Sequence, residues 1–393
     1  MRYPENKPPV FTLTAGPVDA YPEVLRALGT TVLYDYDPAF QLAFEEVALK
    51  AQKAMGTDSP PLILQGEPVL ALEGAAASLI ARDDVVLNLA SGVYGKGFGY
   101  WAARYAKRVD EIETAYDDCI DPETVRAYLA DHPEVRVVCV CHHDTPSGTL
   151  NDIDAIGAVV AEAGALLLVD AVSSWGGMKT SPAACQAGIY VTGPNKCLGC
   201  PPSLSLVAVS DAAWDKIDAN PDAPSASILS LKDWRNAWKR TESFPFTPSV
   251  AEINGLSVAL DRYLEEGPEQ VWARHALTAA ACRAGVQAMG LDIWPVREAI
   301  ASATCTTAKM PEGIDAGLIL AETRARYGVS LSAGRAQTLG RLIRIGHMGP
   351  TAQPMYALIA VAALGGALVA AGAKLDVPAG MAAVQAEIDA AAG

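Results

Sequence analysis

The stretches LLLVDAVSSWGG (residues 166–177) and IYVTGPNK (residues 189–196) decide both the fold and the position of the site. Each begins with a short run that is apolar on both faces, as the central strands of a covered parallel sheet are. The first run ends at Asp170, and the second leads through small residues to Lys196. Ligands of α/β sheets bind beyond the carboxyl ends of the strands, so both residues are predicted to face a binding site.

Apolar runs and helical stretches alternate on both sides of these segments. Further strands are predicted at 62–64, 85–89, 137–140 and 204–209, and helices at 121–131 and 152–163. This alternation predicts an α/β fold with a mixed, mostly parallel sheet and helices on both faces.

The last third of the chain follows a different pattern. A long helix over 248–267 leads to a helix over 268–289, strand-like runs at 291–295 and 303–309, a helix over 314–327 and a strand at 342–346. We therefore expect an N-terminal segment (1–20), a large α/β domain (21–265) and a smaller C-terminal α+β domain (266–393). The uncharged stretch 355–373 is rich in Ala and Gly, which favours a buried helix over a membrane span.

Composition limits the class of protein and its partners. The 393 residues are 51% hydrophobic and carry a formal net charge of −15, which disfavours nucleic acid and anionic membranes as partners. The eight scattered cysteines form no readable disulfide framework, which predicts a reducing, cytoplasmic location. Cys197 and Cys200 form an isolated C-x-x-C without the further ligands that zinc requires, so no metal is expected.

Asp170 and Lys196 are more informative together than apart. Alone, the aspartate could be a helix N-cap and the lysine an ordinary surface residue. At successive strand ends they match a pyridoxal site, in which a carboxylate keeps the ring nitrogen protonated and a desolvated lysine forms the Schiff base and moves the proton. We therefore predict that these two residues are catalytic.

Short motifs along most of the chain extend this pattern. They are TAGP (14–17), LEGA (72–75), GVYG (92–95), TPSG (145–148), DAVSS (170–174), Lys196 and RIGHMG (344–349). In these motifs the chain resembles the alanine–glyoxylate and serine–pyruvate aminotransferase family, within the class V aminotransferases. The resemblance implies a fold-type I pyridoxal enzyme that forms a homodimer or homotetramer. It also implies that Tyr94 stacks on the pyridine ring and that Thr145 and Val172 lie beside it.

Two arginines are candidates for binding a substrate carboxylate. By the resemblance Arg344 takes this role, and the planar fork of a guanidinium suits the carboxylate of a 2-oxo acid. Arg335, nine residues earlier, is either a second clamp or a surface arginine.

The chain departs from the family wherever the cofactor phosphate should bind. The turn that should offer backbone amides at a helix start reads Gly66-Glu67-Pro68-Val69, in which Pro68 has no amide hydrogen and Glu67 adds a negative charge. Pro194 and Asn195 replace the hydroxyl or glutamine that precedes the lysine. In the segment 244–248, which should offer a donor to the neighbouring subunit, only Thr247 can donate.

These departures predict that the vitamin binds without phosphate and acts as a substrate, with Glu67 beside its free hydroxymethyl group. The predicted reaction moves the amino group of pyridoxamine to pyruvate and gives pyridoxal and L-alanine, a step of vitamin B6 degradation. No tightly bound cofactor is then expected. The alternative is a conventional aminotransferase of the same family that depends on pyridoxal phosphate.

Other interpretations are weaker. A cysteine desulfurase-like lyase would need a cysteine on a mobile loop, whereas Cys305 lies in a strand-like run. A non-catalytic vitamin sensor would need a nucleic-acid-binding module, and the chain has no basic patch. His142 and His143 lie near the predicted site, but a structural role is favoured for both.

Overall fold

The structure is a computed structural model that describes residues 2–392. Its strands in chain order are β1 (Phe11–Thr12), β2 (Leu62–Gln65), β3 (Val85–Ala90), β4 (Arg108–Glu113), β5 (Val135–Cys141), β6 (His143–Asp144), β7 (Thr149–Leu150), β8 (Leu166–Asp170), β9 (Ala187–Thr192), β10 (Leu204–Val209), β11 (Cys305–Lys309), β12 (Val329–Ser330), β13 (Ser332–Ala333) and β14 (Leu342–Gly346). Its helices are α1 (Pro22–Leu28), α2 (Pro38–Met55), α3 (Pro68–Leu79), α4 (Val93–Tyr105), α5 (Pro122–Asp131), α6 (Ile153–Glu162), α7 (Asp211–Ala219), α8 (Val250–Glu266), α9 (Pro268–Ala288), α10 (Ala316–Tyr327), α11 (Pro354–Ala370) and α12 (Val377–Ala392).

A seven-stranded sheet forms the centre of the larger part of the molecule. Its strand order is β2-β10-β9-β8-β5-β3-β4, and only β10 runs antiparallel to its neighbours. Every residue of β3 and β9 is buried, as expected for strands covered on both faces. The prediction of a mixed, mostly parallel α/β sheet is therefore confirmed.

The parallel strands of this sheet end at one edge. Because β3, β5, β8 and β9 run in the same direction, the segments that follow them lie on the same side of the molecule. These segments carry most of the polar residues that the sequence singled out, so the topology brings the candidate site together.

One edge strand is missing from the sequence prediction. In β4 (RVDEIE) four of the six residues are charged, and the strand pairs only with β3. A search for continuous apolar runs does not find such a strand, because an edge strand does not need to be apolar on both faces.

A small antiparallel sheet, β11-β14-β13, forms the centre of the C-terminal domain. Helices α9, α11 and α12 pack on one another beside it and share a second apolar core. Helix α11 covers most of the uncharged stretch 355–373, and about half of its residues are buried, as predicted. Within residues 2–392, no helix is both long enough and apolar enough to cross a membrane.

The prediction of a strand over 291–295 is wrong. Only Ile293 forms a β-bridge, with Ala308, and the segment continues into a 3₁₀ turn at Glu298–Ile300. Pro295 interrupts the run because it has no amide to donate to a neighbouring strand. The domain boundary at 265/266 stays a prediction; it lies beside the end of α8.

Candidate active site

Lys196 lies in a tight turn four residues after β9. The turn is closed by the amide of Gly199, which donates to the carbonyl of Lys196 (3.0 Å). The amine of Lys196 donates to the carbonyl of Ala15 (2.7 Å), and a side chain at Gly16 would overlap this amine. Burial lowers the pKa of Lys196, and the positive charge of Arg344 acts in the same direction. The surroundings therefore favour the neutral amine, which is the form that acts as a nucleophile and base.

Asp170 ends β8 and lies opposite Cys141 at the end of β5. Its Oδ1 accepts a hydrogen bond from the amide of Val172 (3.0 Å), and its Oδ2 accepts a weak one from the thiol of Cys141 (3.6 Å). Burial raises the pKa of Asp170 to about 6, and the nearby charge of Glu67 acts in the same direction. Because both hydrogen-bond donors are neutral, this carboxylate can stabilise an additional positive charge close by.

The start of helix α3 has no free amide in its first three positions. Pro68 has no amide hydrogen, and the amide of Val69 donates to Oε2 of the exposed Glu67 (3.0 Å). The amide of Leu70 donates to the carbonyl of Glu67 (2.8 Å), and the amide of Gly66 donates to the carbonyl of Ser203 (2.8 Å). A carboxylate of the chain itself thus occupies the position where a helix start would otherwise bind an anion.

The start of helix α4 is capped by a residue from a distant part of the chain. Oδ2 of the buried Asp144 accepts hydrogen bonds from the amides of Tyr94 (2.7 Å) and Gly95 (3.2 Å). A side chain at Gly92 would overlap this carboxylate, so only glycine permits the approach. Burial raises the pKa of Asp144 to about 6. The cap fixes the backbone of Tyr94 at the edge of the sheet.

Three further predicted residues lie on the same edge. Thr145 is buried directly after β6, and Val172 is partly buried two residues after β8. His143 is buried, and its Nδ1 lies 3.0 Å from the hydroxyl of Ser173 and 3.1 Å from that of Thr304. Burial lowers the pKa of His143 to about 3, so the ring is neutral at physiological pH. These contacts link the large sheet to the C-terminal part, which agrees with the structural role predicted for this histidine.

The two candidate arginines differ in how they are held. Arg344, only 8% exposed, lies on β14 between β11 and β13, and its Nε donates to the carbonyl of Ala333 (2.7 Å). Arg335 is exposed and follows β13; its Nη1 donates to the hydroxyl of Tyr94 (3.0 Å). The structure therefore brings both arginines to the edge that carries Lys196 and Asp170.

A profile of known protein sequences matches a large part of this chain. The profile described as Aminotransferase class-V matches residues 100–351, which is more than half of the chain. The chain belongs to the class-V aminotransferases. Members of this family are pyridoxal-dependent, so a vitamin B6 compound takes part in the reaction of this aminotransferase.

Individual relatives of this class-V aminotransferase agree with the family. The chain is 66% identical, over 99% of each sequence, to pyridoxamine–pyruvate transaminase from Mesorhizobium japonicum. The crystal structure of pyridoxamine–pyruvate aminotransferase from Mesorhizobium loti is similar over all of both chains, with a TM-score of 0.99 and 65% identity. An alanine–glyoxylate aminotransferase from Nostoc sp. has a TM-score of 0.88 at 25% identity, covering 93% of this chain and 97% of its own.

The sequence analysis of this class-V aminotransferase missed the residues that hold the predicted ones. Asp144 lies in the segment after β5 that the sheet rule selects, but its partners on α4 are about 50 positions earlier in the chain. Cys141 contacts the carboxylate of Asp170, and no motif in the sequence marks it. The TAGP motif indicated the family, but nothing in it indicated that the carbonyl of Ala15 accepts from the lysine.

Proposed function

We propose that this aminotransferase transfers the amino group of pyridoxamine to pyruvate, giving pyridoxal and L-alanine, with the unphosphorylated vitamin as substrate. The observation that carries the proposal is the start of α3, where Glu67 and Pro68 remove the anion site that a phosphate would need. The 66% identity to pyridoxamine–pyruvate transaminase supports the same choice of substrates.

The residues at the site fit the ring of the vitamin but not a phosphate. A phosphate oxygen needs donors, and at the start of α3 the amides of Val69 and Leu70 already donate to Glu67. A negative charge on Glu67 would also repel a phosphate at this helix start. A free hydroxymethyl group carries no charge, and its O–H can donate to the carboxylate of Glu67.

Two buried side-chain oxygens lie near the start of α3. A side chain at Gly193 would meet both Pro68 and Oδ1 of Asn195, so Gly193 and Asn195 lie against the start of α3. Within residues 2–392, Oδ1 of Asn195 is buried without a hydrogen-bond partner, as is Oε1 of Gln65. Acceptors of this kind suit a ligand hydroxyl, which can donate, better than a phosphate, which at neutral pH mainly accepts.

Lys196 and Asp170 supply the proton transfers of the reaction. The pyridine ring, when protonated at its nitrogen, accepts the electrons left behind when a neighbouring carbon loses a proton. Asp170 holds this nitrogen in its protonated form through a charge-assisted hydrogen bond. Lys196, whose pKa is lowered by burial and by the charge of Arg344, takes the proton from the carbon that carries the amine and returns it to the carbon derived from pyruvate.

Tyr94, Thr145 and Val172 bind the ring, and the arginines bind the acid. Tyr94 stacks on one face of the ring, and Asp144 holds the backbone of Tyr94 at the edge of the sheet. Arg344 binds the carboxylate of pyruvate with the terminal amino groups of its guanidinium, since its Nε is already used by Ala333. Arg335 is the second clamp.

We further propose that the protein acts in the cytoplasm as a homodimer or homotetramer. All eight cysteines are free, which suits a reducing compartment. Residues 30–36 supply exposed apolar and aromatic side chains, among them Val32 (71% exposed) and Tyr34 (69% exposed). Exposed apolar side chains close together in the chain support a contact with another chain.

The direct test measures L-alanine formed from pyruvate with either pyridoxamine or pyridoxamine phosphate as the amino donor, because L-alanine is the product common to both reactions. We expect kcat/KM for pyridoxamine to exceed that for the phosphorylated donor by at least about a hundredfold, the effect of losing two charge-assisted hydrogen bonds. Dialysed protein should be colourless and should show no absorbance above 320 nm from bound vitamin.

The opposite pattern would support the conventional aminotransferase instead. In that case the dialysed protein would remain yellow with pyridoxal phosphate and would transfer the amino group of L-alanine to glyoxylate without added vitamin. That pair of results overturns the proposed substrate and leaves only the family assignment.

A further inference from the structure

The hydroxyl of Tyr94 joins the ring-binding part of the site to the acid-binding part. Nη1 of Arg335 donates to this hydroxyl at 3.0 Å, and the guanidinium carbon lies 5.8 Å from the centre of the Tyr94 ring. The second distance is within the range of a cation–π contact. The two residues are 241 positions apart, on α4 and after β13, so the contact also links the large sheet to the C-terminal sheet.

The backbone of Arg335 is fixed, whereas its side chain depends on Tyr94. The amide of Arg335 donates to the hydroxyl of Thr338 (2.9 Å), and this hydroxyl donates to the carbonyl of Arg335 (3.0 Å). Among the hydrogen bonds and ion pairs within residues 2–392, the contact with Tyr94 is the only one made by the guanidinium of Arg335. Arg344 needs no such partner, because strands pair on both sides of it and its Nε is held by Ala333.

We infer that Tyr94 is a positioning residue for the 2-oxo acid: its hydroxyl holds Arg335, which lies two residues after the carbonyl that Arg344 binds, so that both guanidinium groups can bind one carboxylate. The inference rests on the proposed function and adds a second role to the stacking of the Tyr94 ring. An exposed arginine has many rotamers, and ordering it only when the substrate arrives reduces affinity. The hydroxyl of Tyr94 orders the side chain of Arg335 before the substrate binds.

The two roles of Tyr94 are chemically separable. Stacking on the vitamin uses the aromatic face, which phenylalanine also has. Holding Arg335 uses the oxygen, which phenylalanine lacks. Tyr94→Phe is therefore expected to weaken binding of the acid and to spare binding of the vitamin.

The experiment compares wild-type protein, Tyr94→Phe and the matched control Tyr100→Phe, whose exposed ring lies on the same helix. We expect Tyr94→Phe to raise KM for pyruvate and for L-alanine by about three- to tenfold, the range expected for ordering one arginine side chain. KM for pyridoxamine and the dissociation constant of pyridoxal, read from its absorbance, should change by less than about twofold.

A second readout without turnover is calorimetric binding of L-lactate, a non-reacting analogue of pyruvate, to the pyridoxal-loaded protein. Its affinity should fall by the same factor in Tyr94→Phe, whereas Tyr100→Phe should match wild type in every readout.

A double-variant cycle with Arg335→Ala tests whether the effect passes through this arginine. If it does, Tyr94→Phe causes no further rise in KM for pyruvate once Arg335 is absent. Full additivity of the two effects would overturn the inference, as would a Tyr94→Phe variant that changes KM for pyridoxamine instead of KM for pyruvate. Both outcomes are distinct from failure of the proposed function, in which wild-type protein itself forms no pyridoxal from pyridoxamine and pyruvate.

Discussion

The floor and the rim of the site are built in different ways. The floor comprises Asp170 at the end of a strand, Lys196 in the turn after a strand and Arg344 within a strand, all at least partly buried. The rim comprises Glu67 and Arg335, which are both exposed. Burial lowers the pKa of Lys196, toward the neutral amine that the chemistry needs, and raises the pKa of Asp170 to about 6, so that this carboxyl is ionised above that pH. In the proposed mechanism the floor performs the proton transfers and binds the acid, and the rim selects the substrates.

The largest effect is expected at the floor. Lys196→Ala removes the base that moves the proton, so kcat for pyridoxal formation should fall by at least about a thousandfold, near the upper range for loss of a general base. Single-turnover absorbance of pyridoxamine mixed with pyruvate measures this. Lys179→Ala is the matched control, because Lys179 is exposed. Turnover of the Lys196 variant within tenfold of wild type would contradict the assigned role.

The two arginines provide the next comparison between floor and rim. Arg344→Ala should lower kcat/KM for pyruvate by about a hundredfold, because two charge-assisted hydrogen bonds to the carboxylate are lost. Arg335→Ala should lower it by only about tenfold, because the exposed guanidinium has to be ordered before it binds. Initial rates at varied pyruvate concentration separate the two variants. An equal or reversed ranking would show that burial does not distinguish the two arginines.

Glu67 tests whether the rim selects against phosphate. Glu67→Gln keeps the shape of the side chain and its acceptor oxygen but removes the charge, so affinity for pyridoxal phosphate should rise by about tenfold. Glu67→Ser shortens the side chain and frees space at the amide of Val69, so its gain should be larger. Titration of each protein with pyridoxal and with pyridoxal phosphate, followed by absorbance, gives both affinities. Unchanged discrimination in both variants would mean that another feature excludes the phosphate.

The smallest predicted effect is the pH dependence set by Asp170. Its pKa is raised to about 6, so it is ionised above this pH and gains a proton below it. Because the ionised form holds the protonated ring nitrogen, kcat/KM for pyridoxamine should fall as the pH drops through about 6, by about tenfold for each unit below it. Protonation of Lys196 acts in the same direction. Asp170→Asn separates the two effects. Its rate should be low at every pH, and the fall in kcat/KM near pH 6 should be absent. A wild-type profile that is flat from pH 7 to pH 5 would contradict this assignment.

Much of the fold could be predicted because its signals are local. The apolar runs of β2, β3, β5, β8, β9 and β10 and the helices between them follow from the spacing of residues close in sequence. The two wrong predictions also result from the use of local pattern alone. Strand β4 has the mixed pattern of an edge, and the run at 291–295 contains a proline that prevents regular pairing. Local pattern reports what a segment can form, whereas pairing depends on which neighbour is available.

The sequence predicted the candidate catalytic residues but not the groups that contact them. Asp170 and Lys196 stand at strand ends, a position that the sheet rule identifies without coordinates. Two groups contact these residues: Cys141 contacts Asp170, and the carbonyl of Ala15 contacts Lys196. Both come from other parts of the chain, and no motif indicates these contacts. Their contribution depends on distances that only the folded chain defines.

The sequence by itself determined the α/β sheet, the pairing of an aspartate with a lysine at strand ends, and the missing amide at Pro68, since these follow from local pattern and covalent structure. Only the tertiary structure decided that Glu67 turns onto its own helix, that Asp144 caps α4, and that Arg335 meets Tyr94 across 241 positions of chain. The physical reason is range. Hydrophobic pattern and backbone chemistry act between neighbours in sequence, whereas hydrogen bonds between distant side chains exist only after the core has packed and brought them within about 3 Å.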